Sequence, residues 1–243
     1  MRYGIFSDIH SNLEALNAVL QAYQKEAIDL YLCVGDIVGY AANPHECIEC
    51  IHALSIPAVA GNHDYAAADA YSVEDFNPLA TQALLWTREL LTPGAKEYLS
   101  SLPLLFKDQN LTMVHGTVDR PESFHYMRDV FSAQQSFSVL TTAVCFIGHT
   151  HVPGVFIQQP DGSIEYSPQE SIHLERGKKR YLVNVGSVGQ PRDGNPKAAY
   201  AVYDTQSQKI EIKRVSYDVR VSRNKIMRSG LPQFLGERLL SGR

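Results

Sequence analysis

Short apolar runs that end in Gly, Asp, Asn or His recur along the first 150 residues, separated by stretches with helical spacing. Arg2 to Phe6 reads as a strand ending at Ser7-Asp8, and Leu30 to Val34 as a buried strand ending at Gly35-Asp36. Ala58 to Ala60 forms a third, short strand before Gly61-Asn62-His63-Asp64. Leu13, Leu16, Leu20 and Tyr23 recur at three- and four-residue intervals, the apolar stripe of an amphipathic helix. That helix starts from Ser11-Asn12-Leu13-Glu14, which has capping-box form with Ser11 as N-cap. Pro44 opens a second helix that carries Cys47 and Ile51. Leu111 to Val114 run into His115-Gly116, and Ala143 to Ile147 into Gly148-His149-Thr150-His151.

Residues 65–103 interrupt this rhythm with Tyr65, Tyr71, Phe76 and Trp86 and with helical spacing from Leu79 to Leu91 and near Tyr98. They read as a helical insertion over a site, or as a purely structural layer. Strands then dominate: Val155 to Gln158, a Pro160-Asp161-Gly162 turn, Ile164 to Tyr166, Tyr181 to Val185, and a hairpin of Ala198 to Tyr203 with Lys209 to Val215. A helical tail, about 219–241, is interrupted at Gly230-Leu231-Pro232. Alternating strands and helices predict an α/β architecture with a partly parallel sheet. The polar clusters fall just past strand ends, where open α/β sheets collect their ligands. With no repeat or linker, residues 1–243 are expected to form one domain.

The net charge of −4 gives no reason to expect non-specific attraction to nucleic acid or to an anionic membrane. No apolar run approaches the roughly 20 residues of a membrane span, and the start lacks a signal-peptide core, so a cytoplasmic protein is expected. Cys47 and Cys50 form a CxxC, but no second CxxC accompanies it. The expectation for these and for Cys33 and Cys145 is ordinary semi-buried thiols.

The chemistry lies in five clusters: Asp8-Ile9-His10, Gly35-Asp36, Gly61-Asn62-His63-Asp64, His115-Gly116 and Gly148-His149-Thr150-His151. They contain five of the nine histidines, all where strands empty into loops. Carboxylate, imidazole and amide-oxygen donors suit Mn, Fe or Zn better than a thiolate-seeking metal. In Asp8-x-His10 and His149-x-His151, alternate positions of an extended chain point to one side, so each pair can send two donors into one pocket. A carboxylate such as Asp36 can bridge two cations about 3.5–4 Å apart.

The ordered set D-x-H, G-D, G-N-H-D, H-G and G-H-x-H resembles the calcineurin-like metallophosphoesterase superfamily. The match runs from Asp8 to His151, and Asn184 to Arg192 is similar to its small bacterial and archaeal phosphodiesterase branch. The resemblance implies an α/β (α+β) four-layer αββα sandwich, with two mixed β-sheets flanked by helices. It implies two divalent or trivalent ions: the first held by Asp8, His10 and His151, the second by Asn62, His115 and His149, with Asp36 bridging. His63 would protonate the leaving group after in-line attack by a metal-bound hydroxide. One departure matters. Where the protein phosphatases of this superfamily continue G-D-x-V-D-R-G, this chain reads Gly35-Asp36-Ile37-Val38-Gly39-Tyr40. That shifts the expectation from phosphoproteins toward phosphodiesters, with phosphomonoesters and dinucleoside polyphosphates as further substrates, and leaves Asp64 either to orient His63 or simply to cap the following helix.

Arg192 has two readings: a clamp on a substrate phosphate, or a partner for Asp193 in a Pro-Arg-Asp-Gly turn. His45, His52, His125 and His173 read as surface or packing residues, with His125-Tyr126 a candidate for the pocket mouth. Arg176 to Arg180 and the chain from Lys209 onward are locally basic, which suits either a nucleic-acid surface or solvated faces. The expected partner is a small phosphoester, nucleotides included. A metal-dependent nuclease and a non-catalytic scaffold of the same fold are the alternatives, and a homo-oligomer is compatible with the sequence.

Overall fold

The computed structural model describes residues 1–243 and contains two mixed sheets. In the first, β1 (Arg2–Phe6) pairs in parallel with β2 (Leu30–Cys33) across helix α1 (Leu13–Tyr23). Its other edge pairs antiparallel with β10 (Ala198–Asp204), followed by β11 (Lys209–Val215) and the short β8 (Ser171–His173). The second sheet has the order β3 (Leu105–Lys107), β4 (Thr112–Val114), β5 (Val144–Ile147), β9 (Arg180–Asn184), β6 (Gly154–Gln158) and β7 (Ile164–Ser167). There β4, β5 and β9 run parallel and the outer pairs antiparallel.

The period-two alternation of strands explains the layering. Tyr3 and Ile5 of β1, Leu32 of β2, and Ala201 and Tyr203 of β10 point inward and meet Met113, Phe146 and Val183 of the second sheet. Tyr3 and Tyr203 are register partners across β1 and β10, with rings stacked at 5.8 Å. The other face of the first sheet offers Phe6, Cys33, Tyr200 and Val202 to Leu16, Val19 and Tyr23 of α1 and to Cys47 and Ile51 of α2 (Pro44–Leu54). Outside the second sheet, Phe137 of α6 (Val130–Val139) packs on Val114, Ile147 and Leu182. The result is helix, sheet, sheet, helix in four layers.

Residues 62–101 form α3 (Asn62–Ala67), α4 (Pro78–Leu90) and α5 (Pro93–Ser101). The C-terminal stretch forms α7 (Val219–Arg228), α8 (Gln233–Glu237) and a final 3-10 turn, packed on α4 through Ile226, Leu235, Ala80 and Ala83. No helix is long and apolar enough to cross a membrane.

Two local expectations are corrected. The N-cap of α1 is Asn12, whose Oδ1 accepts from the Ala15 amide while its Nδ2 donates to the Gly189 carbonyl. Ser11 instead accepts from the Gly39 amide, and Glu14 pairs with Lys225. Asn12 is preferred because it caps the helix and ties it to a remote loop with one side chain. The strand expected at 58–60 is only a single bridge, Cys33 to Ala58, because the Gly61 amide that would add the next rung donates to Asp64 Oδ2 instead.

Candidate metal centre

Every candidate donor sits at the C-terminal end of a strand or at the start of a helix. Asp8 and His10 follow β1, Asp36 follows β2, His115 follows β4, and His149 and His151 follow β5. Asn62 opens α3 with Gly61 as its N-cap. All seven are buried.

The expected extended geometry at Asp8-x-His10 and His149-x-His151 is wrong. Asp8, His10, Asp36, His149 and His151 have φ of 55°, 49°, 54°, 67° and 61°, in the left-handed region. Such backbone costs L-residues about 1–3 kcal/mol each. It persists because backbone bonds over-determine it: Asp8 N to Gly35 O at 2.9 Å, His10 N to Asp36 O at 3.0 Å and Gly189 N to Asp8 O at 2.9 Å. The donors converge because these turns interlock, not because a strand alternates.

Donor atoms of Asp8, His10, Asp36 and His151 lie within 4.8 Å of one another, as do those of Asp36, His115 and His149, so Asp36 belongs to both groups. His151 Nε2 is 3.2 Å from Asp8 Oδ1 and 3.1 Å from His10 Nε2. Asp36 Oδ2 lies 3.5 Å from His10 Nε2 and 3.2 Å from His115 Nε2. Three imidazoles are locked from behind: Nδ1 of His10, His115 and His151 contacts the carbonyls of Val38, Val34 and Gln190 at 3.1, 2.7 and 2.6 Å. A carbonyl only accepts, so each Nδ1 carries a proton and each Nε2 faces the cluster.

The side chains fit divalent ions by what they leave unsatisfied. Asn62 Oδ1 and His149 Nε2 are buried with no hydrogen-bond partner, an arrangement that buried polar atoms ordinarily avoid, and Asp36 Oδ2 and His115 Nε2 have only each other, 3.2 Å apart. The packing also leaves no room for a Cβ beside the carboxylates. One built on Gly61 would lie 2.0 Å from Asp36 Oδ1, and one on Gly148 would lie 2.5 Å from Asp8 Oδ2.

Electrostatics couple the donors. Burial works to raise the Asp36 carboxyl, but the imidazoles of His115, His63 and His10 outweigh it and hold Asp36 well below its usual range. Burial pushes His115 down, yet Asp36 and Asp8 beside it carry it up to about 10. Burial lowers His149 and His151 well below an ordinary imidazole. At pH 7 the metal-free His115 is therefore protonated, and a metal at its Nε2 must displace that proton. Loading is expected to release about one proton per chain from this residue. Calorimetric titration in two buffers of different ionisation enthalpy checks it, and buffer-independent heats would contradict it.

His63 lies on α3 with its amide donating to Asp36 Oδ1 at 2.9 Å. Its ring is caged by Tyr40 at 4.5 Å, His10 at 4.8 Å and Phe76 at 5.0 Å, centroid to centroid. Burial lowers its pKa to about 3. Asp64 does not orient it. The Asp64 carboxylate accepts from the amides of Ile37, Val38 and Gly61 at 2.8, 3.1 and 3.0 Å, so it braces the Asp36 loop and caps α3. Arg192 does not pair with Asp193, which is taken by Arg214. Its guanidinium donates to Gln190 Oε1 at 2.8 and 3.2 Å and lies over the Tyr40 ring.

A pocket of about 600 Å³ opens over Asn62, His63 and His149. Its walls come from Tyr40, from Tyr71, Asp75, Phe76 and Asn77 ahead of α4, and from Glu122 to Tyr126. His125 and Tyr126 thus reach the pocket. Tyr40, Phe76 and Gln190 escaped notice as site residues because a lone aromatic or amide has no spacing signature. The one sequence signal is Gly39-Tyr40 standing where the protein phosphatases of the superfamily carry Asp-Arg.

Outside this region the motifs serve packing. Cys33, Cys47, Cys50 and Cys145 are free, and burial pushes the Cys47 and Cys50 thiols up. The basic stretches are largely spent inside the chain: Arg176 on the Asn110 carbonyl, Arg180 on Leu140 and Gln158, Lys213 on Glu26 and Arg223 on Glu237.

A model of the calcineurin-like phosphoesterase superfamily domain matches residues 1–208. An uncharacterised protein of Methanocaldococcus jannaschii is 41% identical over 248 aligned residues, spanning 98% of this chain and 97% of its own. A metallophosphoesterase from Sphaerobacter thermophilus superposes with a TM-score of 0.86 at 37% identity, covering 100% of this chain and 99% of its own. A hypothetical protein from Pyrococcus horikoshii shares the fold, with a TM-score of 0.80 at 22% identity over 100% of this chain and 98% of its own. The family match over residues 1–208, the near-full-length likeness to the Sphaerobacter metallophosphoesterase and the Asp/His cluster at the strand ends lead to one assignment: the chain belongs to the calcineurin-like phosphoesterase superfamily.

Proposed function

We propose that this chain is a binuclear metal-dependent phosphodiesterase. The observation that carries the reading is the double cluster meeting at Asp36, with unsatisfied donor atoms in the group that includes His115 and His149. Asp8, His10 and His151 would hold one ion, Asn62, His115 and His149 the other, with Asp36 between them. Bound there, divalent ions supply Lewis acidity toward phosphoryl oxygens and activate water near neutral pH. Manganese, iron or zinc suits this oxygen and nitrogen donor set. Free thiols at all four cysteines accord with a cytoplasmic place.

The residues around the cluster supply the rest. Burial keeps His63 neutral, so it meets the substrate as an N–H donor held in plane by its aromatic cage. As negative charge grows on the departing oxygen, that N–H hydrogen-bonds to it and stabilises it, and the proton the oxygen finally takes comes from solvent. Arg192 has no carboxylate partner, and its anchor on Gln190 leaves its charge available for a phosphate oxygen. Tyr40 fills with an aromatic ring the place where the phosphatase motif carries Arg, and Tyr40, Tyr71, Phe76, Phe124 and Tyr126 give the pocket wall apolar faces. That favours a diester with an apolar or nucleoside arm over a phosphoprotein. With the basic residues engaged internally, no specific observation favours the nuclease reading.

The test is hydrolysis of a generic diester and a generic monoester by metal-reconstituted protein. The expectation is diester turnover, with His63→Ala lowering kcat by about 10²-fold at unchanged metal content. The deficit should shrink on substrates whose leaving group needs no proton. A wild type that takes up two ions yet hydrolyses neither ester sinks the reading.

A further inference from the structure

Three of the four candidate histidine ligands are tethered through Nδ1 to a backbone carbonyl. His149 is the exception. Neither ring nitrogen makes a hydrogen bond, and its Nε2 is buried without a partner. What holds its ring is Tyr126, stacked on it at 3.9 Å between centroids with 15° between planes. The Arg128 guanidinium lies 4.0 Å from the centre of the same Tyr126 ring. Two groups that close cannot share one face, so the tyrosine is sandwiched between cation and imidazole.

The ring is 40% exposed, but its backbone is fixed. Met127 beside it is buried, and the Arg128 and Asp129 amides both donate to Ser132 Oγ at 3.3 Å. The loop also presses on the strand end that carries His115, since a Cβ on Gly116 would lie 2.7 Å from the His125 carbonyl oxygen. Tyr126 is therefore presented to His149 as a rigid plate. A carbonyl tether fixes the plane, the tautomer and the in-plane rotation of an imidazole together. A stacked ring fixes the plane alone.

We propose that Tyr126, capped by Arg128, is the positioning residue for His149, and that the site containing His115 and His149 is in consequence the weaker and more exchangeable of the two. This rests on the two-ion reading above. The orienting partners of metal ligands commonly govern affinity by about 10–100-fold, and here one histidine has exchanged a directional partner for a planar one.

Metal-stripped full-length protein is titrated with Mn²⁺ by calorimetry, with bound metal counted after dialysis, for wild type, Tyr126→Phe, Tyr126→Leu and Arg128→Gln. Wild type should show two steps. Tyr126→Leu should weaken the lower-affinity step by at least about tenfold and leave the other within about twofold. Tyr126→Phe, which keeps the plate, should match wild type, and Arg128→Gln should weaken the same step by less. The proposal is overturned if Tyr126→Leu leaves both steps unchanged or weakens them equally, or if Tyr126→Phe falls as far as Leu. A wild type that binds one ion removes the two-ion reading instead. The positioning claim then survives only if Tyr126→Leu weakens that single step and Tyr126→Phe restores it.

Discussion

Asp36→Asn is expected to leave the protein folded and to empty its metal centre. The substitution keeps nearly the same volume, and Oδ1 can still accept the His63 amide bond of 2.9 Å. What changes is the other oxygen. Asp36 Oδ2 faces His115 Nε2 at 3.2 Å and His10 Nε2 at 3.5 Å, and it belongs to both donor groups. An amide NH2 there would point protons at the two proposed cation positions, and an amide oxygen there would carry no charge to share. Loss of Lewis-acid stabilisation, worth several kcal/mol, corresponds to a fall in kcat/KM of about 10³-fold or more. Dialysed Asp36→Asn protein should retain less than one ion per chain with a native far-UV circular dichroism spectrum. Full metal content in that variant would remove Asp36 from the centre.

Gly61→Ala should be strongly destabilising for the addition of a single methyl. The Gly61 φ of −96° is open to alanine, so the cost is steric. The new Cβ would fall 2.0 Å from Asp36 Oδ1 and 2.5 Å from the Asp36 backbone nitrogen. Side-chain rotation could relieve the first contact; only backbone movement relieves the second. That movement displaces Asp36 and the Asn62 turn together. Overpacking of this kind costs about 3 kcal/mol or more, which in a chain of this size lowers Tm by roughly 6–12 °C. Metal content should fall with it. Gly94→Ala is the control, because nothing lies within 4 Å of a Cβ there and the position is helical. It should be neutral or stabilising by up to about 1 kcal/mol. Equal Tm for the two variants would show that the Gly61 contact is absorbed elsewhere.

The same two variants mark how far the pattern of residues can be read. Gly61 and Asp36 stand next to strand ends in the sequence, and that alone assigns them to a site. Their van der Waals contact joins two loops 25 residues apart, which no local spacing reports. The helix α1 shows a similar limit. Its apolar stripe fixes the element, but the choice of Asn12 over Ser11 as cap depends on Gly189, far along the chain. β8 and α6 show the same limit: Ser171–His173 is a strand because β11 offers it an edge, and α6, half of whose residues are polar, is held as a helix by one face packed on the second sheet.

By itself the sequence determined the four-layer fold and the superfamily. The α/β order of elements follows from information local to each segment, apolar period and strand-end position; the superfamily follows from residue types whose order along the chain is the motif, and the four layers follow from that resemblance. The tertiary structure decided how the donors converge and what supports them. Left-handed turns rather than extended strands aim Asp8, His10, His149 and His151. Asp64 braces the Asp36 loop, Tyr40 and Phe76 cage His63, and Tyr126 stacks on His149. Those roles arise from contacts between remote loops, and a side chain's partner across space leaves no periodic trace in the chain that carries it.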